Sequence, residues 1–431
     1  MFRRFSILSL FSIGFLWTAH TKLYANELID SSTFTGGSRN SSLNSLSLLQ
    51  ERITAQFITK YLQDSNLFLT DSERERKADI LSSSVRFGIK GGGEVTGPGL
   101  SYHALYQGDY LSTLTDGFEY YSPEDHKLLT FIELRGAFTK IRLNANLEEN
   151  GGYARSESFD GGISSSVAES RGLGSKRKNI ALGVSRQLSS SVLEIGFSID
   201  DVDYQLVDIF SGSSVNYSRD RLAADLSWFV EPTFLSKTRL GLGLTAGKDD
   251  VAQNLLGAQS FLAPTLRAKW NFSPKTAFAG WIGFDERWRD SDDFSETTSV
   301  YGLKGFWTAP TDTKLSVDIT KKVLPSIFER DDNVATKKLS IGASQDFNRG
   351  FNVGLRFFYE FSDYKPTNSG SLRGRTEDLK SFRVSLGKSM QINYFKESQV
   401  SIFYNHFTND STKEYYDFER DQFGLEFKFS L

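Results

Sequence analysis

The last ten residues of the chain alternate in character one by one. Phe423, Leu425, Phe427, Phe429 and Leu431 are apolar, while Gln422, Gly424, Glu426, Lys428 and Ser430 are small, polar or charged. A period of two places the two sets on opposite faces of an extended strand. The same dyad recurs as Phe351, Val353, Leu355, Phe357, Tyr359 and Phe361 against Asn352, Gly354, Arg356, Phe358 and Glu360. It recurs again over 239–244, 140–147 and 193–200. Taken from near residue 51 onward, such segments predict about 18 strands (16 to 18), each roughly 10 to 14 residues long, the length a tilted membrane strand needs.

The connections between these segments alternate too. Short ones fall at 136–139, 188–191, 231–237, 273–275, 308–313, 347–350 and 389–397. Longer, polar ones fall at 62–77, 110–125, 148–175, 205–218, 248–258, 289–296, 324–335, 362–376 and 408–418. A soluble β-sandwich has no reason to keep that rule, whereas an outer-membrane barrel has short periplasmic turns and longer external loops. The expectation is an all-β, transmembrane, antiparallel up-and-down barrel over 51–431 with both chain ends on the periplasmic side. Aromatic residues near strand ends, Trp228 and Phe229, Trp270 and Phe272, Trp288, Trp307, and Tyr415 and Tyr416, suit the two membrane interfaces.

Composition narrows the class further. Residues 1–25 carry Arg3 and Arg4, an apolar run from Phe5 to Ala19, and Leu23-Tyr24-Ala25 at a cleavage position. This order predicts a secretory signal peptide; the apolar core is short for a membrane helix. Residues 26–50, rich in serine, read as a disordered periplasmic lead-in. Losing 1–25 removes three of the 50 basic residues (Arg3, Arg4, Lys22) and none of the 53 acidic ones, so the mature chain is near −6 and nothing favours nucleic acid as a partner. There is no cysteine, hence no disulfide or thiolate metal site, and no cofactor is expected.

Residues at both ends carry a family resemblance. Asp64-Ser65-Asn66-Leu67-Phe68-Leu69-Thr70, followed by Asp79 and a strand running through Gly88 to Leu100-Ser101-Tyr102, resembles the start of the β-barrel porin 2 family. Tyr416-Asp417-Phe418-Glu419-Arg420-Asp421-Gln422-Phe423-Gly424-Leu425 resembles its closing hairpin, and Phe306-Trp307-Thr308-Ala309-Pro310-Thr311-Asp312-Thr313 its proline-containing turn. The resemblance spans 52–431 and rests on short, degenerate patterns. It implies an outer-membrane barrel with a channel-like role and makes polysaccharide a candidate cargo, since some members are associated with exopolysaccharide production and export. It transfers no catalytic residue. The terminal Leu431 departs from the phenylalanine with which many such barrels end, while its place in an alternating strand still suits the barrel-insertion machinery.

Chemistry is sparse. The mature chain holds three histidines, His103, His126 and His406, with no motif linking them, so an enzyme is not expected. Gly91-Gly92-Gly93 lacks the Lys-Ser or Lys-Thr of a phosphate cradle and reads as a turn. Asp290, Asp292 and Asp293, and Asp331 and Asp332, read as solvated loop acids rather than a metal site. The polar faces say more. With the apolar faces turned to lipid, Arg86, Lys90, Arg135, Lys140, Arg142, Arg239, Arg267, Lys269, Lys304, Arg356, Arg383 and Lys428 point into the lumen. So do Glu133, Glu194, Asp225, Asp318, Glu360 and Glu426. Two readings stand side by side: cross-strand ion pairs that fill the interior, or a wet passage with a basic bias suited to anionic or hydroxylated solutes. Selectivity would then lie with Arg86, Lys140, Arg142, Arg239, Arg267, Lys269, Lys304, Arg356, Arg383 and Lys428, and the loop 148–175 is a candidate constriction. The rival function is a non-conducting barrel whose outer loops bind a partner.

Overall fold

Eighteen strands follow one another along the chain. They are β1 (Ile53–Asp64), β2 (Ala78–Gly91), β3 (Gly99–Thr113), β4 (Glu124–Arg135), β5 (Thr139–Asn150) and β6 (Gly174–Gln187), then β7 (Ser191–Val207), β8 (Ser214–Val230), β9 (Thr238–Val251), β10 (Gln259–Ser273), β11 (Thr276–Arg289) and β12 (Ser295–Thr308). The last six are β13 (Thr313–Pro325), β14 (Asp331–Asp346), β15 (Phe351–Pro366), β16 (Arg375–Met390), β17 (Glu397–Ser411) and β18 (Phe418–Ser430). The computed structural model describes residues 53–67, 76–92, 99–117, 123–151, 174–207, 214–232, 235, 237–252, 258–289, 295–326, 331–366, 374–392, 395 and 397–430. The expected signal peptide, the lead-in and Leu431 lie outside these residues.

Each strand pairs antiparallel with the next, and β18 returns to pair with β1, so a single sheet closes on itself. Closure leaves no strand edge, which is the condition for a sheet to cross a bilayer. The faces follow the dyad. Leu240, Leu242 and Leu244, Ile141, Leu143 and Leu147, and Leu355 and Phe357 are exposed on the outside. In β15 the intervening Phe358 and Glu360 are buried on the inside. Leu266 and Ile282, in register on β10 and β11, are 60% and 61% exposed. Aliphatic side chains so bare, repeated around the whole ring, belong in hydrocarbon rather than water.

Toward the end with the longer connections the outer face turns polar at a common level, at Glu149, Lys178, Asp201, Asp220, Lys248, Glu286 and Lys380. That level marks the upper edge of the membrane belt. Strand pairing does not stop there: β7 and β8 are 17 residues each and stay paired to Val207↔Ser214. Backbone pairing needs no lipid-facing side chain, so hairpins run on past the apolar pattern. Several connections read as long loops are therefore largely strand, and the two longest, 65–77 and 151–173, remain at this end.

Near the short turns Trp228, Trp270, Phe272 and Trp307 face outward, with the Trp270 ring stacked on Phe278 at 5.6 Å. Phe229 does not join them. Its neighbour Trp228 takes the outer face, so alternation sends Phe229 inward, where it is fully buried. Gly91-Gly92 ends β2 in a turn as expected; Gly92 has φ +81°, and a Cβ there would stand 2.0 Å from the Leu100 carbonyl oxygen.

The closing seam holds a buried ion pair. Asp64 at the end of β1 accepts from Arg420 Nε at 2.9 and 3.0 Å, from Arg420 Nη2, from Gln422 Nε2 at 2.9 Å, and from the Asn66 backbone N–H at 3.0 Å. Asn66 Nδ2 then donates to the Glu419 carbonyl at 3.0 Å, and the Ser65 N–H to that of Asp421 at 2.9 Å. Two of the three segments that carry the family resemblance, more than 350 positions apart, meet here.

Candidate functional site in the barrel lumen

Cross-strand register carries all ten candidate selectivity residues to the inner face, spread over eight strands of the ring. Six of them sit in ion pairs. Arg142 faces Glu133 in register and donates from Nε at 2.5 Å; Lys140 stands 3.9 Å from the same carboxylate, and Arg135 donates to its other oxygen. Three cations thus share Glu133. Arg239 meets Glu231 at 2.7 Å and Lys304 meets Asp318 at 3.3 Å. Arg267 reaches from β10 over β9 to Asp225 on β8, with Nη2 at 2.6 Å. It lies across Gly243, where a Cβ would come 2.0 Å from Arg267 Nε. Lys269 makes a similar span, crossing the Phe229 ring at 4.5 Å to Glu194, whose two oxygens are each 3.0 Å away. Glycine on β9 lets long cationic side chains lie flat along the wall.

Arg86, Arg356, Arg383 and Lys428 complete the set. Arg86 donates to Gln56 Oε1 at 3.1 Å. Arg356 and Arg383 face one another in register, with Arg383 over the Phe403 ring at 4.8 Å. Lys428 lies between Gln399 and Ile58. Ion pairs thus line the wall, and at Glu133 one carboxylate is shared by three cations.

The constriction expected at 148–175 falls for the most part outside the described residues. A different segment enters the lumen. Pairing of β12 with β13 stops at Tyr301↔Lys321, whereas β13 stays paired with β14 up to Pro325↔Asn333. Above Lys321 the β13–β14 hairpin therefore parts from β12, while β14 stays paired with β15. Arg287 on β11 donates through Nη2 to the Val323 carbonyl at 2.8 Å, and Arg219 on β8 through Nη1 to the Pro325 carbonyl at 3.4 Å. Strands β8 and β13 are five apart around the ring, so a contact between them has to run through the interior. The hairpin leans in.

Its anchor is a charge cluster. Arg287, 1% exposed, also binds Asp285 at 2.8 Å and Asp249 at 2.9 Å; Arg221 stands 3.6 Å from Asp249. The Phe261 ring lies 4.3 Å from Arg221 and 5.2 Å from Arg287. On the hairpin, Leu324 and Val334 pack with Tyr364. None of Arg219, Arg221 and Arg287 was singled out from sequence, although each lies on the inward phase of its strand. One signal was present: Val323-Leu324-Pro325 are three consecutive apolar residues, which breaks the dyad where β13 parts from β12. Substituting Arg219 and Arg287 together by alanine is expected to free the hairpin, read as faster tryptic cleavage at Lys322 with the rest of the barrel still resistant.

The histidines do not converge. His103 is on the inner face of β3, while His126 and His406 are on the outer face. His126 Nδ1 bonds the Tyr106 hydroxyl at 2.9 Å, and His406 Nδ1 bonds Asp421 at 2.9 Å, which also accepts from Tyr404 at 2.5 Å. Asp290, Asp292 and Asp293 lie outside the described residues, as do the side chains of Asp331 and Asp332.

No protein-family model and no curated protein matches the chain. Among solved structures it is similar to the outer membrane protein OpdK from Pseudomonas aeruginosa, at 12% identity over 88% of this chain and 99% of that one, TM-score 0.42. It is also similar to OccK2 (OpdF) from the same organism in complex with glucuronate, at 11% identity over 88% and 99%, TM-score 0.42. A third is the siderophore receptor PirA from Pseudomonas aeruginosa, at 10% identity over 88% and 80%, TM-score 0.40. Likeness this distant says nothing about cargo and lends no support to an exopolysaccharide link. The barrel itself, closed, antiparallel, even in strand number and girdled by exposed aliphatic residues, has the architecture of an outer-membrane protein.

Proposed function

We propose that this protein is a passive outer-membrane channel for small hydrophilic, anionic solutes. The observation that carries the reading is a segregation of charge: the chain as a whole is −3, yet its inner face gathers cations. Arg135, Lys140 and Arg142 share the single carboxylate of Glu133. Where cations outnumber the carboxylates they meet, the low-dielectric wall around them focuses a positive potential into the passage, which concentrates anions and steers them through by diffusion. A ring of 18 strands is wide enough to leave an aqueous interior, and the inturned β13–β14 hairpin narrows it at the external end. Hydroxylated solutes suit the same polar wall, and polysaccharide is the polymeric member of that class. Assembly would pass through the barrel-insertion machinery, with β18 as the closing strand.

Single-channel recording from the full chain in planar bilayers under a salt gradient tests this. The expected result is a steady current with an anion-selective reversal potential. Arg142→Glu combined with Arg239→Glu is expected to move that potential toward cation selectivity. A folded protein that stays silent would favour the non-conducting, partner-binding barrel, and an unmoved reversal potential would remove these two residues from selectivity.

A further inference from the structure

The outer surface carries a second charged feature that the channel does not use. Lys321 on β13 and Lys337 on β14 stand directly opposite one another in register, at the level where the outer face turns polar. Tyr301 flanks them on β12 and Phe361 on β15. Like charges directly opposite on neighbouring strands destabilise a sheet. Three other outward lysines at this end are matched: Lys176 with Glu149 at 2.8 Å, Lys178 with Asp201 at 3.1 Å, Lys380 with Asp410 at 2.8 Å.

Lys321 and Lys337 form no ion pair with any described carboxylate. Lys321 Nζ donates to Ser299 Oγ at 2.9 Å, and Lys337 Nζ lies 5.2 Å from the centre of the Phe361 ring. Asp363 is the acid on this face that attracts Lys321, and Lys365 adds a third ammonium, itself bound to Glu296. Immediately below, on the same outward phase, lie the exposed side chains of Leu303, Ile341 and Phe357. The patch therefore presents two ammonium groups at the membrane surface, aromatic rings beside them, and hydrocarbon-facing side chains beneath.

We infer that Lys321 and Lys337 together bind the phosphate of a phosphorylated lipid of the outer leaflet. A phosphate between the two ammonium groups turns their mutual repulsion into two charge-assisted contacts. The acyl chains of such a lipid would lie down the belt at Leu303, Ile341 and Phe357, so headgroup and tails are satisfied at one place. Free phosphate gains only the first of these terms. The site faces lipid and stands whether or not the lumen conducts.

The test uses the full chain in a neutral detergent, with its thermal transition followed as lipid A carrying both phosphates, dephosphorylated lipid A, or inorganic phosphate is titrated in. Bisphosphorylated lipid A is expected to raise the transition, with neither control matching it. Lys321→Gln with Lys337→Gln is expected to weaken lipid A binding about thirtyfold, and Lys337→Gln alone about fivefold, at roughly 1 kcal/mol for each lysine near a charged lipid surface. Lys178→Gln is expected to leave it unchanged. Wild-type affinity in the double variant overturns the site, as does an equal rise with dephosphorylated lipid or with inorganic phosphate. The substituted side chains are on the surface, and if the double variant does not give the folded band in a cold detergent gel, the single Lys337→Gln decides.

Discussion

Asp64→Ala is expected to lower the stability of the folded barrel by about 3–5 kcal/mol, because it leaves the buried Arg420 guanidinium without its carboxylate. The loss falls at the one place where the first and last strands must find each other. Asp64 takes donors from Arg420, Gln422 and Asn66, and both members of the pair are shielded from solvent. Arg420→Ala should cost a similar amount, since the carboxylate is then left in the same dry seam. Replacing both by leucine should cost less than either alone, because a buried charge missing its partner is dearer than no charge at all. Urea unfolding of the four proteins in detergent micelles, followed by tryptophan emission, measures the cycle. Single variants with wild-type midpoints would show that backbone pairing of β1 with β18 closes the barrel unaided.

A second large effect is expected from Ile282→Arg. Ile282 lies in the middle of the outer belt, in register with Leu266 on one side and Tyr301 on the other. An arginine on the lipid face near mid-bilayer costs roughly 2–4 kcal/mol in a barrel of this type. Lys304→Gln, on the inner face of β12, should alter conductance with little change in folding. Folding titrations into phosphatidylcholine vesicles compare the two. Equal tolerance of both substitutions would mean that the faces have been assigned the wrong way round.

Much of this architecture was legible beforehand. The dyad at Phe423, Leu425, Phe427 and Phe429 sets which face of β18 meets lipid, and the same reading for 351–361 correctly sends Phe358 and Glu360 inside. It placed Arg142 and Glu133 on the lumen side as well, and the turn at 136–138 sets the register that brings them opposite one another. Phe229 shows the limit of reading aromatics by type. Beside Trp228 it looked like part of an interface girdle, but adjacent residues in a strand cannot share a face.

What sequence alone determined, then, is what neighbouring residues impose on one another: strand or turn, inward or outward, and the pairing of each strand with the next. The Asp64–Arg420 clasp, the Lys269–Glu194 span and the β13–β14 hairpin held by Arg219 and Arg287 were decided only when the ring closed. Each joins residues on strands that are distant in the chain or not adjacent in the sheet. No local periodicity encodes such meetings; they follow from how many strands complete the circle and which side chains it then brings face to face.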